Sequence, residues 1–232
     1  GQVGLGGALF VAGSLALAAL VCANAYLAAD LVRRGGELPN VLLHPVEVAG
    51  RLGFVGACAL LAWASGLPAR QFGLGAGSPF EDILLGVVAA VLLQQANHAG
   101  SRWAARRFGP RVYAPAFLRA TLPKSRRQWV LAPLVLLPAA LAEEALFRGL
   151  LVGGLSAYVS PWLLAVVFSL VFGLAHLPQG RLGVLGASAL GLCLSLLFLW
   201  RWSIVACTVA HYGVNLAQLV RAEEELRWFE GG

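Results

Sequence analysis

LAEEALFRGL, residues 141–150, sets two adjacent carboxylates and an arginine inside a run that otherwise reads as membrane-buried helix. Each of Glu143, Glu144 and Arg148 costs about 2.5–3.5 kcal/mol to insert at the centre of a bilayer helix on translocon scales. Charges held there need partners or a task. On a helix, residues four apart share a face. Glu144 and Arg148 therefore form an i,i+4 pair, with the glutamate N-terminal, the favourable order. Glu143 points about 100° away, on the side of Phe147, and has no local cation. An unpaired carboxylate in hydrocarbon has to meet a partner from another helix, face a water-filled cavity or stay protonated.

The surroundings support the membrane reading. The 232-residue chain is 59% hydrophobic and only 12% charged, with a mean hydropathy of +0.77. A soluble domain carries about a quarter charged residues, so too little polar surface remains to cover a water-soluble globule. The formal net charge of +6 does not point to nucleic acid. Eight of the seventeen basic residues lie in the acid-free window 101–128 between apolar runs, which is the pattern of a cytoplasmic loop. Trp103, Phe108 and Tyr113 in that window are expected as interfacial anchors along the lipid headgroups. Cys22, Cys58, Cys193 and Cys207 are scattered through apolar runs without CxxC spacing, as buried small hydrophobes rather than a disulfide framework or zinc cluster. The sequence contains no methionine, so a preceding N-terminal stretch is expected.

A bilayer core takes about 20 apolar residues per helix. The expected spans are 3–28, 48–67, 83–100, 129–156, 162–177, 183–200 and 202–220, an all-α polytopic bundle of about seven helices whose last four are joined by short links into a core. Breakers such as RRGGELPN (33–40), SP (160–161) and LPQGR (177–181) separate them. The chain then divides into 1–128, variable helices plus the basic loop; 129–220, the core; and 221–232, a short cytoplasmic tail. With 101–128 inside, seven spans place the N-terminus outside and the C-terminus in the cytoplasm. The outer side then keeps only Arg70 and Arg201 as basic residues. Arg70, Glu81 and Asp82 are expected in an external loop, with no assigned role.

Two further spans carry polar groups. FGLAH (172–176) places His176 one turn after Phe172, and HYGVN (211–215) places His211 and Asn215 on one helical face. One carboxylate, two imidazoles and an amide on three closely linked helices suit water-mediated peptide hydrolysis. A carboxylate can take a proton from water, and a histidine can orient that water or protonate the leaving amine. A His/Asn pair can donate to a developing oxyanion. In the third span, Gln94, Asn97 and His98 lie nearly on one face. Polar capping and interhelical hydrogen bonds account for them more simply than a cavity lining.

EEALFR, FGLAH and HYGVN resemble, in order and each in its own span, the EExxxR, FxxxH and HxxxN motifs of the CPBP family of CaaX proteases and bacteriocin-processing enzymes. That family is also called Abi or type II CaaX prenyl endopeptidase-like. The resemblance covers about 129–220. It implies an intramembrane endopeptidase with Glu143 as the water-activating base and His176 beside it. It further implies His211 and Asn215 as oxyanion-side groups, Glu144 with Arg148 as a supporting pair, and Phe172 as packing that shapes the site.

No metal is favoured. Glu143, His176 and His211 are the set that zinc would require, but there is no HExxH and asparagine is a poor zinc ligand. The expected partners are the lipid bilayer and a membrane-anchored protein or peptide substrate, with no nucleic acid. Family substrates include prenylated CaaX termini, bacteriocin leaders and C-terminal sorting anchors. The Ala/Leu/Arg/Gly-rich composition suggests a bacterial inner-membrane protein, for which prenylated CaaX termini are less expected and a sorting anchor, as in the myxosortase-type branch, is an alternative; the residues do not decide between them. The competing class is a non-catalytic scaffold or bacteriocin-immunity protein of the same fold. A transporter is weakened by the lack of an inverted repeat or paired broken helices.

Overall fold

The computed structural model describes residues 4–36, 43–75, 77–109 and 119–230, the last eight by their backbone alone. Tyr113 lies outside the described residues. Seven α-helices run through them: α1 Leu5–Arg33, α2 Pro45–Ala64, α3 Pro79–Phe108, α4 Arg126–Glu144, α5 Pro161–Leu174, α6 Gly180–Arg201 and α7 Ile204–Glu230. The described residues contain no strand.

Local chemistry sets where these helices begin. Pro45, Pro79 and Pro161 each open a helix at its first turn, where the missing N–H has no intrahelical partner to lose. The Ser125 hydroxyl accepts from the Gln128 N–H at 3.3 Å and starts α4. Ser203 does the same for α7, accepting from the Ala206 N–H at 3.3 Å. Glu81 and Asp82 occupy the first turn of α3 and Arg106 and Arg107 its last, complementing the helix dipole at both ends.

The burial pattern is inverted relative to a soluble protein. Trp63 is 82% and Leu134 67% exposed, while Arg148, at 1%, is among the largest fully buried side chains. Apolar side chains thus face outward and charge faces inward, as a lipid solvent demands. Among the described residues, five helices are long and apolar enough to cross a membrane: α1, α2, α3, the continuous run Arg126–Ala157 and the run Leu177–Arg201.

Several expected boundaries move. Of the seven expected spans, five meet the length and hydropathy of a crossing. The fifth expected span, 162–177, ends as a helix at Leu174 after 14 residues, about 21 Å of rise against a hydrocarbon core of about 30 Å. Pro178 disfavours helical geometry at the residue before it, and Gly180 turns the chain into α6 with φ 81°. The third expected span, 83–100, begins at Pro79 and continues through Phe108, so the first third of the basic window is helix. Trp103 and Phe108 there meet edge to face with centroids 5.9 Å apart. Glu81 and Asp82 belong to the first turn of α3 rather than to a loop. Asp82 is buried and accepts two hydrogen bonds from Arg201 at the end of α6, at 3.1 and 3.0 Å, while Glu81 lies 3.1 Å from the same guanidinium. The last expected span, 202–220, begins as a helix only at Ile204, after Trp202 caps α6, and runs on through Glu230.

After Glu144 the fourth span changes character. Ala145–Gly153 is a π-helical segment and Gly154–Ala157 a 3-10 turn. The short helical turn Ala69–Phe72 docks against this irregular stretch. The Gln71 side-chain amide donates to Gly153 O at 3.0 Å and to the Ser156 hydroxyl at 2.5 Å. Glycine is required at the contact: a Cβ on Gly153 would collide with Gln71 O, and one on Gly154 with the Phe10 ring. Phe10 and Phe72 themselves meet edge to face at 5.9 Å. The first and third N-terminal segments thereby join the core formed by Leu146, Leu150, Leu151 and Phe172.

Candidate active site

The end of α4, the corner between α5 and α6, and the middle of α7 converge on one buried polar cluster. Glu144 is fully buried, and its Oε1 accepts from Arg148 Nη1 at 2.9 Å and from His211 Nδ1 at 2.7 Å. The expected Glu144–Arg148 pair is therefore present. Its extension to His211 is new, because the sequence exposes only the relation within one helix. Arg148 Nη2 also donates to the Gly191 carbonyl of α6 at 2.9 Å. Its guanidinium lies 4.7 Å from the centroid of Phe172, a cation–π distance. One arginine thus links the π-helical segment, α5 and α6. Placing such groups beside a π-helical turn, a feature frequent at functional sites, was not legible in the spacing.

Glu143 differs from its neighbour in exposure. Its side chain is 37% exposed while that of Glu144 is 0%. Its Oε2 is sheltered and makes no hydrogen bond among the described residues. That oxygen lies 3.7 Å from His211 Nε2, too long for a direct hydrogen bond. His211 therefore stands between the two carboxylates, with one nitrogen toward each. Because an ionised carboxylate can only accept, the Nδ1 toward Glu144 carries a proton, leaving Nε2 toward Glu143.

His176 sits at the α5–α6 corner rather than inside a span. Its Nδ1–H donates to Phe172 O at 2.8 Å. A carbonyl only accepts, so this bond fixes the tautomer and leaves Nε2 as the free nitrogen. Glu143, His211 and Arg148 all lie within electrostatic reach of the ring. Phe172 is the common wall. Its centroid is 4.6 Å from that of His176, 5.7 Å from that of His211 and 5.0 Å from that of Phe147. Gly191 belongs to the same wall, since a Cβ there would press on Phe172 at 3.1 Å and on Ser169 at 3.3 Å. Asn215 is half-buried on α7, one turn beyond His211.

Gln94 is buried on α3, and neither of its side-chain polar atoms has a hydrogen bond among the described residues. Asn97, three residues on, lines a groove between α3 and α6. The structure also reveals the Asp82–Arg201 clasp and the Gln71 bonds, which sequence spacing did not indicate because their partners are separated by 119 and 82 residues. Among the described residues, no three His, Cys, Asp or Glu side chains group closely enough to hold a metal ion. Glu144 Oε1 is already shared by Arg148 and His211, and His176 Nδ1 by Phe172 O.

No curated protein and no solved structure matches the chain. A family model does. Residues 125–217, which carry every side chain of the cluster just described, match the family described as Type II CAAX prenyl endopeptidase Rce1-like. Through that segment the chain is similar to the Rce1-like type II CAAX prenyl endopeptidases.

Proposed function

We propose that this protein hydrolyses a peptide bond of a membrane-tethered protein or peptide, using a water activated by Glu143. The observation that carries the proposal is the arrangement of the two carboxylates around His211. One is reachable and has an oxygen without a hydrogen-bond partner among the described residues; the other is buried and committed to Arg148 and His211. Glu143 takes a proton from water as the oxygen attacks the scissile carbonyl carbon. The oxyanion that forms accepts from His211 Nε2–H and the Asn215 amide. In that role His211 carries protons on both nitrogens, Nδ1–H held by Glu144 and Nε2–H turned to substrate. The C–N bond then breaks, and the proton on Glu143 passes to the departing amine. His176, its Nδ1 fixed by Phe172 O, offers Nε2 to hold the water or relay that proton. The apolar walls exclude bulk water and strengthen each of these contacts.

The proposed reaction uses no metal: the sequence has no HExxH, and Asn215 is a poor zinc ligand. The chain is placed in a bacterial inner membrane, with its N-terminus outside and its C-terminus cytoplasmic, on the strength of the basic window 101–128. The substrate proposed is a C-terminal membrane anchor or CaaX-like terminus. A comparison of membrane-protein termini between cells with the wild-type protein and cells with Glu143→Gln tests this directly. New or lost C-terminal fragments dependent on Glu143 identify the substrate. Identical termini, with full biological function in both strains, would favour the non-catalytic scaffold instead.

A further inference from the structure

We propose that the groove between α3 and α6 binds an anionic membrane phospholipid, with an acyl chain along its apolar wall and the phosphate held at its basic end. The cavity measures about 360 Å³ and is separate from the polar cluster described above. Ala96, Gly100 and Trp103 of α3 line one side and Leu185, Gly186 and Ala189 of α6 the other, with Val214 of α7 at the base. Small residues on both walls let a chain approach the two backbones closely.

The charge at one end selects the occupant. On α3, Leu93, Ala96, Gly100, Trp103 and Ala104 follow three- and four-residue steps along the groove, and Arg107 is the next position on that stripe. On α6, Arg181 stands four residues before Leu185 and on the same face. Antiparallel packing brings the C-terminal end of α3 beside the N-terminal end of α6, since Ala104 and Leu182 line the same cavity. Arg107 and Arg181 are both exposed, and helical spacing sets each one turn beyond the cavity's lining residues. Arg107 lies 5.6 Å from the Phe108 ring centroid, and Phe108 in turn packs on Trp103. This aromatic pair marks the headgroup level. Two cationic side chains at the headgroup level and an apolar channel leading away from them match a phospholipid of net negative charge, whereas a zwitterionic lipid would gain little from the arginines.

The groove also touches the site through one helix wall. The opposite side of α6 carries Gly191, whose carbonyl accepts from Arg148. A lipid seated against Gly186 and Ala189 braces the helix that anchors the buried arginine.

Native mass spectrometry of the delipidated full chain, titrated with phosphatidylglycerol and with phosphatidylcholine, tests the proposal without reference to proteolysis. The expected result is a saturable phosphatidylglycerol site preferred about thirty-fold, each arginine contributing about fivefold. Arg107→Gln with Arg181→Gln should reduce that preference to near unity. Ala189→Trp, at an exposed position, should block the site while leaving the melting temperature unchanged. Equal binding of the two lipids to the wild-type chain, or phosphatidylglycerol binding unaffected by both variants, would overturn it. Loss of peptide cleavage in Glu143→Gln leaves this measurement untouched, so the two proposals fail separately.

Discussion

Glu144 Oε1 lies 2.7 Å from His211 Nδ1, so a carboxylate already paired with Arg148 on its own helix also fixes an imidazole on another. Glu144→Gln keeps the volume but removes the charge that both partners use. Leaving a buried arginine uncompensated costs about 3–5 kcal/mol. The expected outcome is a marked drop in thermal stability together with a fall in turnover. A variant that melts like the wild type would separate Glu144 from both roles.

Arg148 holds Glu144 and the Gly191 carbonyl with different nitrogens of one planar group. A lysine offers a single point of attachment and cannot reproduce that fork. Arg148→Lys should therefore destabilise the protein by about 2 kcal/mol, a charge-assisted hydrogen bond lost from a buried site. Chemical denaturation in mild detergent reads this directly; an unchanged midpoint would contradict it.

Asn215 follows His211 by one turn and is assigned to the developing oxyanion. Asn215→Ala should lower kcat by about 10²–10³, the cost of removing one oxyanion donor, with little change in KM. A rise in KM at constant kcat would instead place Asn215 in ground-state binding.

Arg201 serves as an internal control at the far end of α6. It joins buried Asp82 and exposed Glu81 across the α3–α6 boundary. Arg201→Ala strands the Asp82 carboxylate and should lower the melting temperature, while the folded fraction keeps wild-type turnover. Melting and active-site-normalised rates together check this.

The irregular end of the fourth span makes its own demand. Alanine at Gly153 would place a methyl group against Gln71 O, with the Phe198 ring 2.9 Å away. Gly153→Ala should destabilise by about 1–3 kcal/mol through overpacking, measurable as a lower denaturation midpoint.

Much of the cluster was legible because charges and imidazoles are rare in apolar helices and need a reason to be there. Glu143, Glu144, Arg148, His176 and His211 stood out on that ground, and helical spacing correctly paired Glu144 with Arg148. The same spacing could not reveal the bond from Glu144 to His211, since nothing local relates residues 67 positions apart. Nor could apolar periodicity show the π-helical turn after Glu144, whose end Gln71 meets through a hydrogen bond to Gly153 O. The early end of α5 had a visible cause in Pro178 that an apolar count overlooked. The extension of α3 through Phe108 was hidden because a basic, polar helix end resembles a loop in composition.

The absence of a metal step is a claim about Glu143, His176 and His211. After exhaustive chelation and with no zinc found by elemental analysis, cleavage should persist at the untreated rate. Activity restored only by added zinc would reject the mechanism.

The central claim is that Glu143 activates the attacking water while its neighbour holds the histidine. The most direct measurement is the single-turnover cleavage rate of a membrane-anchored substrate by wild-type and Glu143→Gln protein reconstituted in vesicles, with melting recorded for both. The account predicts a rate at least about 10³-fold lower for Glu143→Gln, within the range general acid–base catalysis supplies, at unchanged melting temperature. Wild-type cleavage by Glu143→Gln would contradict it.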